Sequence, residues 1–115
     1  MILLVDDDDP VRETSADMLQ EFGHTVLQAV SGDEALRLLD QHHGIDVMVT
    51  DVRMPGMSGF ELSDVAGRRY ADLRIILMSG YFVPQLIRRR FLQKPFRIRD
   101  LDKAIRAEQA WLAHV

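Results

Sequence analysis

Two short runs stop abruptly at aspartate, and this repetition constrains the fold more than any other feature of the chain. Ile2-Leu3-Leu4-Val5 runs into Asp6-Asp7-Asp8-Asp9, and Val47-Met48-Val49-Thr50 runs into Asp51, with Pro55 and Gly56 close behind to force a turn. A continuous apolar run lacks the alternation of a half-exposed strand. Both runs therefore read as strands buried on two faces, as in parallel sheets covered by helices. Between them, Pro10 near a start and Val11, Ser15, Met18, Leu19 and Phe22 at helical spacing give an amphipathic helix over about residues 9 to 22, stopped by Gly23.

The rest of the chain repeats the alternation. Thr25 to Ala29 reads as a second strand. Ser31-Gly32-Asp33-Glu34 is a capping box opening a helix with Ala35, Leu36 and Leu39, which Gly44 breaks. After the Asp51 strand, Ser58-Gly59-Phe60-Glu61 is a second capping box, and Phe60, Leu62, Val65 and Ala66 carry a helix to about Arg69. Arg74 to Met78 is a fourth strand ending at Ser79-Gly80, and Phe91-Leu92-Gln93 is a fifth ending at Lys94-Pro95-Phe96. Ile98, Leu101, Ile105 and Leu112 then trace a final helix. Strand and helix in alternation imply an α/β fold, a doubly wound five-stranded parallel sheet with helices on both faces.

Composition narrows the function classes. With 115 residues, 47% of them hydrophobic, the chain suits one domain over residues 1–115 with a single core. The net charge of -4 and the absence of a broad basic surface argue against direct nucleic-acid binding. There is no cysteine, so thiolate chemistry and disulfides are excluded, and His42-His43 without a third ligand is expected to be solvated surface rather than a zinc site. No apolar stretch approaches the length of a membrane span and nothing resembles a signal peptide, so a soluble cytoplasmic protein is expected.

Four of the five strands end in polar side chains: Asp6 and Asp7, Asp51, Ser79, and Lys94. In a parallel sheet these ends share one edge, where ligands bind. Three carboxylates repel one another unless a cation neutralises them, and hard divalent ions with oxygen ligands do so. A lysine and a small hydroxyl supply the charge and the donor that phosphoryl oxygens need. Lys94 is one of two lysines beside twelve arginines. Asp8 and Asp9 are expected to serve the helix N-terminus rather than a metal.

Val5-Asp6-Asp7, the Asp51 strand with Met54-Pro55 and Gly59 after it, Met78-Ser79-Gly80 and Lys94-Pro95-Phe96 together resemble the receiver (CheY-like) domains of bacterial two-component response regulators, including those of hybrid histidine kinases. The resemblance runs in order over nearly the whole chain. It implies the strand order 2-1-3-4-5, phosphoacceptor Asp51, a metal site of Asp7 as a direct ligand, Asp6 acting through water, Asp51 and the backbone carbonyl of Arg53, and Mg²⁺ or Mn²⁺ as cofactor. It further implies that Ser79 and Lys94 bind the phosphoryl group and that Phe91 is the switch aromatic, although an ordinary core role for Phe91 fits equally well. The implied partners are a histidine kinase or histidine phosphotransfer domain and an output protein.

Two regions depart from the family. Only 14 residues separate Ser79 from Lys94, so the helix between the fourth and fifth strands is expected to be shortened, with Val83-Pro84 at its start and Leu86 and Ile87 covering the sheet. Arg97-Ile98 stands where a Ser or Thr cap belongs, so the final helix is expected to fray at its first turn. Trp111 and Leu112 offer either a surface for a second copy or another partner, or, as expected here, a helix face packed on the sheet. The implied function is a phosphoacceptor that catalyses only its own phosphorylation and dephosphorylation. A Mg²⁺-dependent phosphohydrolase with an Asp nucleophile would want an acid/base Asp where Arg53 stands. A receiver-like interaction module independent of phosphorylation is the alternative; the complete acidic site speaks against it and the shortened segment for it.

Overall fold

The computed structural model describes residues 1–81 and 89–113. Along the chain run β1 (Ile2–Val5), α1 (Asp9–Glu21), β2 (Val26–Ala29), α2 (Gly32–Gln41), β3 (Val47–Asp51), α3 (Gly59–Arg69), β4 (Arg74–Ser79), β5 (Arg90–Gln93) and α4 (Ile98–Ala113). The strands form one five-stranded sheet in the order β2-β1-β3-β4-β5, every pairing parallel. The expected short helix with Val83-Pro84, Leu86 and Ile87 lies outside the described residues.

The period of two along each strand divides the core into two halves. Leu3, Val5, Met48, Ile75 and Leu77 face α2 and α3, meeting Ala35, Leu36, Leu39, Leu62 and Ala66. Ile2, Leu4, Val47, Val49, Ile76 and Met78 face the other way, against Ala16 and Leu19 of α1 and Leu101, Ala104 and Ile105 of α4. The continuous apolar runs at β1 and β3 are thus required by burial on both faces.

The first helix is phased differently from its apolar pattern. Its buried residues are Arg12, Ala16 and Leu19, while Val11, Met18 and Phe22 are 45%, 42% and 39% exposed. Small Ala16 lets the helix lie close to the sheet, and the Arg12 guanidinium is buried because it is hydrogen-bonded on several sides.

The caps also differ in detail. At Ser58 both halves of the capping box form. At Ser31 the hydroxyl accepts from the Glu34 N–H at 3.2 Å, but Glu34 reaches one residue further back, to the Val30 N–H at 3.1 Å. At the start of α4 the Asp100 carboxylate accepts from the Arg97 N–H at 3.1 Å, which supplies from within the first turn a bond that the missing Ser or Thr would not have made. Trp111 reaches the sheet at Arg74, the first residue of β4. It is 50% exposed, with the Arg74 guanidinium 3.9 Å from its ring centroid. Buried Glu108 fixes that geometry, because it binds both Arg74 and Arg90 at the starts of β4 and β5.

Candidate functional site

Register places the polar strand ends side by side. Val5 pairs with Thr50, Asp51 with Met78 and Ser79 with Gln93, so Asp6, Asp51, Ser79 and Lys94 follow at the same edge of the sheet. Asp6 is buried, Asp7 exposed and Asp51 half-buried, and their carboxylate oxygens lie within 4.8 Å of one another. Asp6 Oδ1 accepts from the Asp8 N–H at 3.0 Å. Asp8 caps α1, accepting from the Val11 N–H, and Asp9 binds Arg12, so both acids serve the helix as expected.

Lys94 stands against two of the three acids, its Nζ 3.6 Å from Asp6 Oδ2 and 3.4 Å from Asp51 Oδ2. Its backbone N–H donates to the Ser79 carbonyl at 2.8 Å, and the bond that follows, Lys94–Pro95, is cis. Buried Ser79 accepts at Oγ from the Tyr81 N–H at 3.1 Å. That bond takes one acceptor position and leaves the hydroxyl proton as a donor for another group.

The loop after β3 holds Asp51 tightly. The Val52 N–H donates to the Met78 carbonyl and the Gly59 N–H to the Val52 carbonyl, at 2.9 and 2.8 Å. A Cβ on Gly59 would stand 2.2 Å from the Asp51 carbonyl oxygen, so only glycine lets α3 begin this close to the acid. Gly56 turns the loop at φ +74°, a conformation glycine adopts without strain. Arg53 points its guanidinium over the Tyr81 ring, 3.9 Å from the centroid, joining the β3–α3 loop to the residues after β4. Phe91 lies half-buried on β5 opposite Leu77 and packs against the α2/α3 half of the core.

The electrostatics follow from this crowding. Burial pushes the Asp51 carboxyl above its ordinary range; Lys94 pulls it back, and the Asp6 charge adds to the rise. An all-oxygen set of three clustered carboxylates with one lysine nearby has the chemistry of a site for a hard divalent cation. Among the described residues it is the one group of carboxylates and histidines so spaced, and His42 and His43 are not in it. Sequence reasoning missed Arg12, whose guanidinium donates to the Asp6 carbonyl at 2.9 Å. The available signal was a lone arginine at helical spacing from Ala16 and Leu19.

Fold and site together define a doubly wound α/β domain with an acidic crevice, a lysine and a hydroxyl at the carboxyl edge of its sheet. The chain belongs to the response regulator receiver domain family, which matches residues 2–106, and is thus a receiver domain of two-component signalling. It is 35% identical over 113 residues to the sensor kinase CckA of Brucella abortus, covering 91% of this chain and 12% of that protein. Against the transcriptional regulatory protein FixJ of Azorhizobium caulinodans the identity is 39% over 113 residues, covering 90% of this chain and 52% of the relative. The chain therefore spans about half or less of these relatives' length. Among solved structures, the receiver domain of the hybrid histidine kinase CckA superposes with a TM-score of 0.82 at 33% identity, over 93% of this chain and 96% of that one. The response regulator TrrA of Thermotoga maritima, in complex with Mg²⁺ and BeF, gives 0.85 at 28% identity with the same coverage. Among the described residues no helix is long and apolar enough to cross a membrane.

Proposed function

We propose that residues 1–115 form one receiver domain that accepts a phosphoryl group on Asp51 from the phosphohistidine of a histidine kinase or histidine phosphotransfer domain, with Mg²⁺ or Mn²⁺ bound, in the cytoplasm. The observation that carries this reading is the clustering of Asp6, Asp7 and Asp51 within 4.8 Å with Lys94 against two of them. Further support comes from the relatives, which include a sensor kinase and a transcriptional regulator, and from a neighbour solved with Mg²⁺ and BeF.

Asp6, Asp7, Asp51 and the Arg53 carbonyl would hold the cation, which when bound neutralises charge on the acids and on the transferring group. An Asp51 carboxylate oxygen attacks phosphorus, the bond from phosphorus to the donor nitrogen breaks, and an acyl phosphate forms. Lys94 offers a positive charge to the phosphoryl oxygens and Ser79 its free hydroxyl proton. Water later hydrolyses the acyl phosphate to inorganic phosphate and restores the carboxylate, so the domain catalyses only its own modification. Phe91 is the side chain expected to report the change to an output surface.

A small-molecule phosphodonor with Mg²⁺ should label the protein at one acid-stable, base-labile group that disappears in Asp51→Asn. Labelling of Asp51→Asn at the wild-type rate would overturn the assignment.

A further inference from the structure

We propose that Arg12, braced by Gln28, is a positioning residue for the cation site, fixing the β1–α1 bend so that Asp6 and Asp7 present their carboxylates to one ion. This rests on the reading that the crevice takes Mg²⁺. The Arg12 side chain is 7% exposed, and burying a guanidinium is costly unless its donors are satisfied. Its Nη1 donates to the Asp6 carbonyl at 2.9 Å and to Asp9 Oδ1 at 2.8 Å, its Nε donates to Gln28 Oε1 at 3.0 Å, and its Nη2 lies 4.0 Å from Glu13 Oε1. None of these acceptors is a carboxylate oxygen of Asp6, Asp7 or Asp51. Arg12 thus acts on the backbone that carries the acids.

Asp6 is thereby held at three points. Its N–H donates to the Ala29 carbonyl at 3.1 Å, its carbonyl accepts from Arg12, and its carboxylate accepts from the Asp8 N–H. Gln28 sits on edge strand β2, where it pairs in register with Leu4. Arg12 therefore ties three elements, β1, β2 and α1, at the point where the first two acids leave the sheet. Lysine cannot do the same, because its single ammonium lacks the planar fork that reaches separate acceptors at fixed angles.

The charge of Arg12 and its geometry act in opposite directions. By Coulomb's law alone, a buried cation beside the crevice weakens cation binding, so deleting it should tighten the site. If Arg12 positions the acids, disturbing it should loosen the site. Arg12→Lys and Gln28→Leu leave the charge in place and disturb only the geometry. Mg²⁺ titration by calorimetry, checked by Mn²⁺ binding in electron paramagnetic resonance, should show each variant weaker by about tenfold, the lower end of what outer partners of metal ligands contribute. Arg12→Met should also bind more weakly despite losing a positive charge. Amide exchange at Asp6 and Asp8 without metal should speed up in Gln28→Leu, which keeps the test open if the Arg12 variants fold poorly. Unchanged or tighter Mg²⁺ affinity in Gln28→Leu and Arg12→Lys would overturn the positioning role. Absence of Mg²⁺ binding by the unaltered protein would instead overturn the underlying cation reading.

Discussion

Replacing Asp51 with Asn in metal-free protein should stabilise the fold, although it removes the residue on which the proposed function depends. One carboxylate oxygen of Asp51 lies within 4.8 Å of one from Asp6 and one from Asp7, and unit charges at that spacing repel by about 3.5 kcal/mol for an effective dielectric of about 20. Lys94 at 3.4 Å attracts Asp51 with about 5 kcal/mol on the same scale. Asn removes two repulsions, one attraction and the cost of burying the charge, which is the largest cause of the raised Asp51 carboxyl, and Lys94 retains Asp6 as its partner. The Coulombic difference of about 2 kcal/mol falls to about 1 kcal/mol when solvent screening at exposed Asp7 is included. For a domain of this size that is a rise in Tm of about 3–6 °C. The pH dependence has a definite sign. The folded pKa of Asp51 is raised, by burial first and by Asp6, against the pull of Lys94. The penalty for its charge is therefore full above the folded value, and falls away as pH drops toward the unfolded value of about 3.9. Thermal melts of both proteins in chelator, from pH 8 to pH 4, should show an advantage for Asn that shrinks with acid. Added Mg²⁺ should reverse the order, because the acid binds the ion more tightly than the amide does. An Asn variant no more stable than the unaltered protein at neutral pH would refute the account of an electrostatically strained crevice.

Two further outcomes follow from particular contacts. Gly59→Ala sets a methyl 2.2 Å from the Asp51 carbonyl oxygen; it should cost about 1–3 kcal/mol or more and weaken Mg²⁺ binding, read by denaturant melts and metal titration. Asp102→Asn should cost about 1–3 kcal/mol at neutral pH. Burial would raise the Asp102 carboxyl, but hydrogen bonds from His24 and Arg106 outweigh it and hold the pKa low. The stability from Asp102 is therefore present above the unfolded value and lost as pH falls through the folded one. Melts at acid pH should bring the two proteins together.

The strands and the acids at their ends were legible because both obey local rules. A strand buried on two faces must be apolar throughout, and chemistry in a parallel sheet gathers where the strands stop. Those rules lead to Asp6, Asp7, Asp51, Ser79 and Lys94 from the sequence, and register then sets them side by side. The final helix was less legible. The shared Glu108 carboxylate draws Arg74 beneath Trp111, and an ion pair between residues 34 positions apart leaves no periodic trace.

Helix α1 shows why apolar spacing alone can select the wrong face. Periodicity assumes that burial tracks hydrophobicity, an assumption that fails where a polar side chain finds hydrogen-bond partners inside. Arg12 has such partners in the Asp6 carbonyl and the Gln28 side chain, so the helix turns its 12-16-19 face inward. Val11, Met18 and Phe22 are left on the surface. The acidic crevice thus bears on the fold that displays it. A bend sharp enough to turn Asp6 and Asp7 out of β1 leaves a buried carbonyl needing a donor, and a helix whose inner face were wholly apolar would leave that carbonyl unpaired, at a cost of about 1–3 kcal/mol.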